Sequence, residues 1–194
     1  MKRCTALFHH GWADWEAGFV LAALREYFGF TVRIATPDSV EATSIGGVRA
    51  AADLAFADVS PDDLDLLLVI GSERWRDETN PEVVDLLRRA NAVGRPIGAI
   101  CAGTLAAARA GLLDGRAHTS NSRDFLTSHA EGYAGVDRYV ETPRAVRDNG
   151  VVTAPGSAPG SFSVEVLRLV APDQADAIDG YAAMLAAEYG PRRD

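Results

Sequence analysis

The stretch IGAICAGT, residues 97–104, joins a short apolar run to an alanine-rich segment that continues to Gly111. The apolar run favours a buried strand, and the segment after it favours a helix closed by that glycine. Cys101 falls at the junction, with small residues at the positions two before and two after it. A turn this tight from strand to helix admits only small neighbours, as in a nucleophile elbow. The stretch therefore predicts a strand, a sharp turn and a helix, with a cysteine at the turn.

Outward from this stretch, apolar strand-like runs alternate with segments of helical periodicity along the whole chain. The run at 66–70 is continuously apolar, which is typical of a strand covered on both faces. Further strands are expected over 4–8 and 31–35, and two closing helices over about 162–170 and 173–188. The alternation predicts an α/β fold with a mainly parallel central sheet and helices on both faces.

Polar residues and glycines mark the expected caps and turns. Asp14 is predicted to cap a first helix over about 15–28, and Asn80 to cap a second that opens with proline. The sequences IGGV at 45–48 and DNG at 148–150 predict two hairpin turns. No linker, repeat or low-complexity tract interrupts the pattern, so we expect one domain over residues 1–194.

Length and charge exclude several classes of function. The chain has 194 residues and a net charge of −8, without a basic stripe, which argues against a nucleic-acid partner. No apolar run approaches the roughly 20 residues of a membrane-spanning helix, so no membrane partner is expected. The first apolar run is shorter than a signal-peptide core, which predicts a cytoplasmic protein.

The two cysteines have different surroundings. Cys4 lies inside the apolar first strand and is expected to pack in the core. A cytoplasmic setting disfavours a disulfide between Cys4 and Cys101. No spacing of cysteines or histidines indicates a metal site, and we expect neither a metal nor a cofactor.

Cys101 is the expected nucleophile. At the start of a helix, unpaired N–H groups and the helix dipole favour its thiolate, and the amide of Ala102 is a natural donor to an oxyanion. Sites in parallel α/β sheets lie beyond the carboxyl ends of the strands, where Cys101 is expected. The alternative is a buried cysteine that serves as a small apolar residue.

AICAG at 99–103, with DWE upstream at 14–16, resembles the ThiJ/PfpI superfamily, and so do IG at 70–71 and LLDG at 112–115. This superfamily includes intracellular protease/amidase-like proteins and the parkinsonism-associated deglycase, and it is related to class I glutamine amidotransferases. The resemblance covers nearly the whole chain. It implies a flavodoxin-like three-layer sandwich, a homodimer and a small-molecule substrate.

The resemblance also implies that Glu16 is the carboxyl group hydrogen-bonded to the sulfur of Cys101. From the residues alone, an acid in the first turn of a helix is equally explained by compensation of the helix dipole. Asp14 is a second candidate for the same role. Trp15 and Gly103, which belong to these two motifs, are expected to line the pocket.

Gly71 and Ser72 end the central strand at the same edge of the sheet. Glycine permits close approach of a ligand, and the amide that follows is a candidate second oxyanion donor beside Ala102. The alternative is an ordinary loop glycine. Related proteins usually carry a glycine pair here, so Ser72 is a departure.

The histidines do not follow the family's protease pattern. Protease-like members carry a histidine directly after the cysteine, where this chain has Ala102, which disfavours a Cys-His protease. No His-x-Glu follows Gly150, as glutamine amidotransferases require. His118 is expected to assist the cysteine or else to be a surface loop residue, and Ser120 and Asn121 beside it are expected to line the pocket.

The sequence thus predicts a cysteine-dependent enzyme acting on a small carbonyl or amide, by amidase, glyoxalase, deglycase or hydratase chemistry. One alternative is a stress-sensing protein whose Cys101 is reversibly oxidised. Another is a binding module that has lost catalysis. Three tryptophans are expected near the pocket or at an interface: Trp12, Trp15 and Trp75.

Overall fold

The computed structural model describes residues 2–187. The strands are β1 (Lys2–Leu7), β2 (Phe30–Thr36), β3 (Ala42–Thr43), β4 (Arg49–Ala50), β5 (Leu54–Ala55), β6 (Leu66–Val69), β7 (Ile97–Ile100), β8 (Val146–Asp148) and β9 (Val151–Ala154). The helices are α1 (Asp14–Glu26), α2 (Arg74–Asp77), α3 (Pro81–Ala92), α4 (Thr104–Arg109), α5 (Arg123–His129), α6 (Pro159–Val170) and α7 (Ala175–Ala187).

One large sheet organises the described part of the chain, with the strand order β5-β2-β1-β6-β7-β9-β8. Every neighbouring pair in it is parallel except β8 and β9, which form a hairpin. β3 and β4 pair separately as a small antiparallel hairpin. The predicted mainly parallel α/β architecture is confirmed.

Alternate residues of the central strand face two separate cores. Leu66 and Leu68 pack with apolar residues of α1 and α6, whereas Leu67 and Val69 pack with those of α3 and α4. All four side chains are fully buried. Because successive side chains of a strand point to opposite faces, a continuously apolar strand requires helices on both faces. The three-layer sandwich follows from this pattern.

The parallel strands β1, β6, β7 and β9 end at one edge of the sheet, and the loops that follow them meet there. The close packing at this edge depends on small residues. A Cβ added at Gly103 would lie 2.5 Å from the carbonyl oxygen of Val69. Glycine therefore lets the turn after β7 rest directly against β6. This contact fixes the beginning of α4 beside the end of the central strand.

Of the two predicted caps, Asp14 is wrong. Ala13 is the N-cap residue of α1, and the carboxylate of Asp14 instead accepts bonds from Ser44 Oγ at 2.5 Å and Gly46 N at 2.9 Å. Asp14 therefore fixes the β3–β4 turn. Asn80 is the N-cap residue of α3, as predicted, but its backbone is left-handed and its side chain donates to the carbonyl of Glu78 instead of accepting a helix N–H.

Both predicted hairpin turns are confirmed, at 45–48 and 148–150. Short helices α2 and α5 were not predicted, because four to seven residues carry too little periodicity to be recognised. The last predicted helix is present as α7, and its expected end at residue 188 lies outside the described residues.

The tryptophans divide between core and surface. Trp12 and Trp75 are buried, and the Trp75 indole donates to the carbonyl of Ile70 at 2.8 Å, so neither is available to an interface. Trp15 is 50% exposed. Within the described residues, no helix combines the length and the apolar character needed to cross a bilayer.

Candidate active site

Cys101 lies at a sharp turn between β7 and α4, as predicted. Its backbone φ is +56°, a left-handed conformation that non-glycine residues rarely adopt. A side-chain hydrogen bond stabilises the turn, since Thr104 Oγ1 donates to the carbonyl of Cys101 at 2.6 Å. Cys101 is partly exposed at the edge of the sheet.

Glu16 reaches this sulfur from the first turn of α1. Its carboxyl group is fully buried, and Oε2 accepts the backbone N–H of Gly71 at 2.8 Å. The other oxygen, Oε1, is buried without a hydrogen-bond partner. It lies close to the sulfur, since a Cβ added at Gly156 would be 2.9 Å from Oε1 and 2.8 Å from Cys101 Sγ. The placement of Glu16 beside the sulfur, which was implied by resemblance, is therefore present in the structure.

Burial changes the acidity of both members of this pair. It raises the pKa of Glu16 to about 7, against the opposing contacts with Cys101 and Gly71. Burial, followed by the negative charge of Glu16, raises the pKa of Cys101 to about 11. The predicted bias of the isolated thiol toward thiolate is therefore wrong, because desolvation outweighs the helix terminus. Glu16 loses its proton first, near pH 7, and the singly protonated pair is mainly a carboxylate beside a thiol.

Asn121 and Ala102 act in the opposite direction on the sulfur. Asn121 Nδ2 lies 3.3 Å from Cys101 Sγ, and the backbone N–H of Ala102 also bonds to the sulfur. Both contacts lower the pKa of Cys101, although less than burial raises it. The site therefore pairs a buried sulfur with donors that stabilise its negative charge.

Gly156, in the loop after β9, covers the sulfur. Its backbone N–H donates to Asn121 Oδ1 at 2.9 Å, and its carbonyl accepts the Trp15 indole N–H at 2.9 Å. A Cβ added at Gly156 would lie 2.8 Å from Cys101 Sγ and 2.9 Å from Glu16 Oε1. Only glycine fits at this position without displacing the reactive groups.

The Gly71–Ser72 segment also lies against the cysteine. A Cβ added at Gly71 would lie 2.7 Å from the Cβ of Cys101. The Gly71 amide is occupied by Glu16, and the hydroxyl of Ser72 donates to the carbonyl of His10 at 2.7 Å. The oxyanion role of the Ser72 and Ala102 amides stays a prediction.

His118 is not brought to the sulfur. It is buried, with Nδ1 2.8 Å from the carbonyl of Arg116 and Nε2 2.6 Å from the hydroxyl of Tyr133. Both ring nitrogens are thus occupied, and burial lowers its pKa. Ser120 is likewise buried, with Oγ 2.6 Å from Thr104 Oγ1. These two residues support the loop, whereas Asn121 at its end reaches the cysteine.

A cleft of about 320 Å³ opens beside Asn121 and the Gly156 loop. It is lined by Ser120, Asn121, Tyr139, Glu141, Thr142, Pro143, Pro155 and Ser157. Between residues 2 and 187, no group of three histidine, cysteine or acidic side chains is placed to hold a metal. The cleft has the size of a small-molecule site.

Sequence reasoning missed the roles of Gly156 and Thr104. The loop at 154–160 contains two glycines, and nothing in its sequence indicates which of them covers the sulfur. The close approach of Gly156 depends on the packing of β9 beside β7. Thr104 reads as an ordinary first helical residue, and its bond to Cys101 depends on the left-handed turn.

Comparison with known proteins agrees with this geometry. The model of the DJ-1/PfpI family matches residues 2–169. The chain is 32% identical over 174 residues to "Uncharacterized protease YoaZ" of Bacillus subtilis, covering 84% of this chain and 82% of that protein. It is 32% identical over 117 residues to "Deglycase TK1284" of Thermococcus kodakarensis, covering 57% of this chain and 66% of that protein.

The fold also matches a solved structure. The crystal structure of the DJ-1 superfamily protein Atu0886 from Agrobacterium tumefaciens superimposes with a TM-score of 0.87 at 35% sequence identity. The match covers 98% of this chain and 100% of that one. The sandwich and its strand order are therefore shared with a solved structure over almost the full length.

Proposed function

The chain belongs to the DJ-1/PfpI family, and on this premise we propose that it is a cysteine-dependent enzyme acting on a small carbonyl compound. The observation that carries the proposal is the close placement of the Glu16 carboxyl group and the Cys101 side chain at the strand-to-helix turn. A nucleophile and a proton carrier within hydrogen-bonding reach are the minimum that covalent catalysis on a carbonyl needs.

The first chemical step follows from the protonation of the pair. With one proton shared, the species that carries it on Glu16 has a thiolate at Cys101. The thiolate attacks the carbonyl carbon, the C–S bond forms, and the π electron pair moves to the oxygen. The carboxyl group of Glu16 then delivers its proton to that oxygen, leaving a neutral hemithioacetal and a carboxylate. The amides of Ala102 and Ser72 are the proposed donors to the developing oxyanion.

A small aldehyde or ketone suits this site better than a peptide. Hydrolysis of an amide by a cysteine requires protonation of a departing amine, which an imidazole beside the sulfur ordinarily performs. His118 has both ring nitrogens occupied, and Ala102 stands where a protease-like histidine would follow the cysteine. Carbonyl addition needs one proton at one oxygen, which Glu16 supplies. The name of the deglycase relative supports this branch, and that of YoaZ supports the hydrolytic one.

The test is a comparison of substrates on the purified protein. We expect Cys101-dependent consumption of methylglyoxal, a small α-oxoaldehyde, and no cleavage of casein or of amino-acid p-nitroanilides. Cys101→Ala is the control for background chemistry. Cleavage of the amides without consumption of the aldehyde would move the function to the amidase branch. Failure of both would remove the enzyme proposal.

A second candidate function is a redox sensor, favoured by the partial exposure of Cys101 and the donors around its sulfur. In that reaction the thiolate attacks one oxygen of hydrogen peroxide, the S–O bond forms as the O–O bond breaks, and the products are a sulfenic acid and hydroxide, or after proton transfer a sulfenate and water. Asn121 and a protonated Glu16 are placed to bond the new oxygen. Mass spectrometry after dilute peroxide distinguishes the two: a sensor is oxidised at Cys101 and turns over no aldehyde.

The homodimer implied by the family is also part of the proposal. Trp15 and Phe19 on α1 and Met184 on α7 are exposed apolar side chains at 50%, 39% and 56%. Pairing of two copies through such a surface would remove it from water. Light scattering at micromolar concentration is expected to give twice the chain mass, and a monomer mass would contradict this part of the proposal.

A further inference from the structure

The orientation of the Asn121 amide is fixed by its two partners. Oδ1 lies 2.9 Å from the backbone nitrogen of Gly156, and a backbone N–H can only donate. The atom facing Gly156 must therefore be the oxygen. The NH₂ group then necessarily faces Cys101, 3.3 Å from Sγ. The amide is a donor to the sulfur in every protonation state of the site.

The segment that carries Asn121 is anchored on two sides. The backbone N–H of Thr119 donates to Thr153 Oγ1 of β9 at 2.9 Å. Ser120 Oγ lies 2.6 Å from Thr104 Oγ1 at the start of α4. These bonds attach the loop to α4, which follows the elbow, and to β9, which pairs with β7. The position of the amide relative to the sulfur is thus set by the fold.

We infer that Asn121 is a catalytic residue that donates a hydrogen bond to the Cys101 thiolate and thereby raises its population during attack. Its effect on turnover rests on the proposed function, whereas its effect on the sulfur does not. Glu16 is the titratable side chain that acts on this sulfur in the described part of the chain. An amide neither takes nor gives up a proton, so Asn121 stabilises the charge without competing with Glu16 for the proton.

The decisive variant is Asn121→Asp. One oxygen of the new carboxylate still accepts the Gly156 N–H, so the loop stays over the sulfur. The other oxygen faces Cys101 Sγ and puts a negative charge where the amide NH₂ group donates. A negative charge at this distance is expected to raise the pKa of the Cys101 thiol by about one to three units. We expect alkylation of Cys101 by iodoacetamide at pH 8 to slow by about tenfold to a thousandfold.

Asn121→Ala separates the electronic effect from a structural one. The loss of one hydrogen bond to a charged sulfur predicts alkylation about tenfold slower at pH 8. If Asn121 served only to hold Gly156 over the sulfur, its removal would uncover Cys101 and speed the reaction. The inflection near pH 7 belongs to the Glu16–Cys101 pair and is expected to persist in this variant.

The matched control is Asn149→Asp, which makes the same change of charge and shape in the exposed β8–β9 turn. It is expected to alkylate within about twofold of the parent, because exposed distant charges are screened by salt. Thermal melting checks that each variant is folded. Alkylation at the parental rate in folded Asn121→Asp and Asn121→Ala would overturn the inference. A parent without turnover would remove the proposed function and leave this measurement valid.

Discussion

One cysteine lies inside the large sheet and the other lies just beyond the end of one of its strands, and their surroundings differ. Cys4 lies in the middle of β1 between Val32 of β2 and Leu66 of β6, with no exposed surface. Cys101 lies one residue beyond β7, partly exposed, with a left-handed backbone. Burial raises the pKa of both thiols. For Cys4 burial acts alone, whereas Cys101 also meets a carboxyl group and two hydrogen-bond donors.

This difference shows that the surroundings of a cysteine here depend on its position along the strand and not on its residue type. A thiol inside a parallel sheet has neighbours on both sides and helices above and below, so no reagent or proton carrier can reach it. A thiol at the carboxyl end is held by the same strand but opens onto the loops that follow the neighbouring strands. The polar groups around Cys101 come from the start of α1, from the loops after β6 and β9, and from the segment between α4 and α5.

The largest expected effect separates the two cysteines directly. Cys101→Ala is predicted to reduce kcat/KM for methylglyoxal by at least about a thousandfold, because the covalent step is lost. The measurement is aldehyde consumption by a folded variant. Activity within about tenfold of the parent would show that the reaction does not pass through this sulfur.

The next largest effect is expected at Glu16, the carboxyl group that lies beside Cys101 and has no counterpart beside Cys4. In the parent, the rate is expected to rise with pH through about 7, since only a pair that has lost one proton can carry the other on Glu16 and leave a thiolate at Cys101. Glu16→Gln removes this inflection and lowers kcat by about a hundredfold or more, as loss of general acid catalysis does. A pH–rate profile measures both. An unchanged inflection in this variant would assign it to another group.

A smaller effect is expected from filling the space above the sulfur. Gly156→Ala introduces a methyl group 2.8 Å from Cys101 Sγ, which must displace the loop or the sulfur. We expect kcat/KM to fall by about ten- to a hundredfold, as misplacement of reacting groups by an ångström does. Gly180→Ala on α7 is the control, since nothing lies within 4 Å of an added Cβ there. Equal activity of the two variants would show that the Gly156 contact does not matter.

The smallest effect is expected at the buried cysteine. Cys4→Ala removes one sulfur atom from a close-packed core and is predicted to lower the free energy of unfolding by about 1–2 kcal/mol. Its kcat/KM is expected to stay within about twofold of the parent. Chemical denaturation and the aldehyde assay measure the two quantities. A large loss of activity without loss of stability would break the contrast between the cysteines.

The fold was largely predictable because its signals are local. A run such as 66–70 is apolar at every position, and the alternation of such runs with helical periodicity specifies parallel strands between two helical layers. The hairpin turns were equally clear, since glycine supplies the backbone conformation that they need. The predicted cap at Asp14 was wrong for a different reason. Asp14 has a capping residue type, but the β3–β4 turn offers its carboxylate two better donors.

The candidate site was predictable only in part. Cys101 and Glu16 could be named because each lies in a short motif at the start of a helix, and the resemblance connected them. His118 and Asn121 lie three residues apart in one loop, and residue type favoured the histidine. In the structure the histidine is bonded to Arg116 and Tyr133, and the asparagine contacts the sulfur.

The amino-acid sequence by itself determined the alternation of strands and helices, the tight turn at Cys101 and the apolar surroundings of Cys4. These depend on side-chain size, polarity and periodicity over a few neighbouring residues. Tertiary structure decided which loop groups meet at the sulfur and how easily it ionises. Asn121 and Gly156 are distant from Cys101 in the chain, and the balance between desolvation and hydrogen bonding depends on atoms that only the folded sheet brings within a few ångströms.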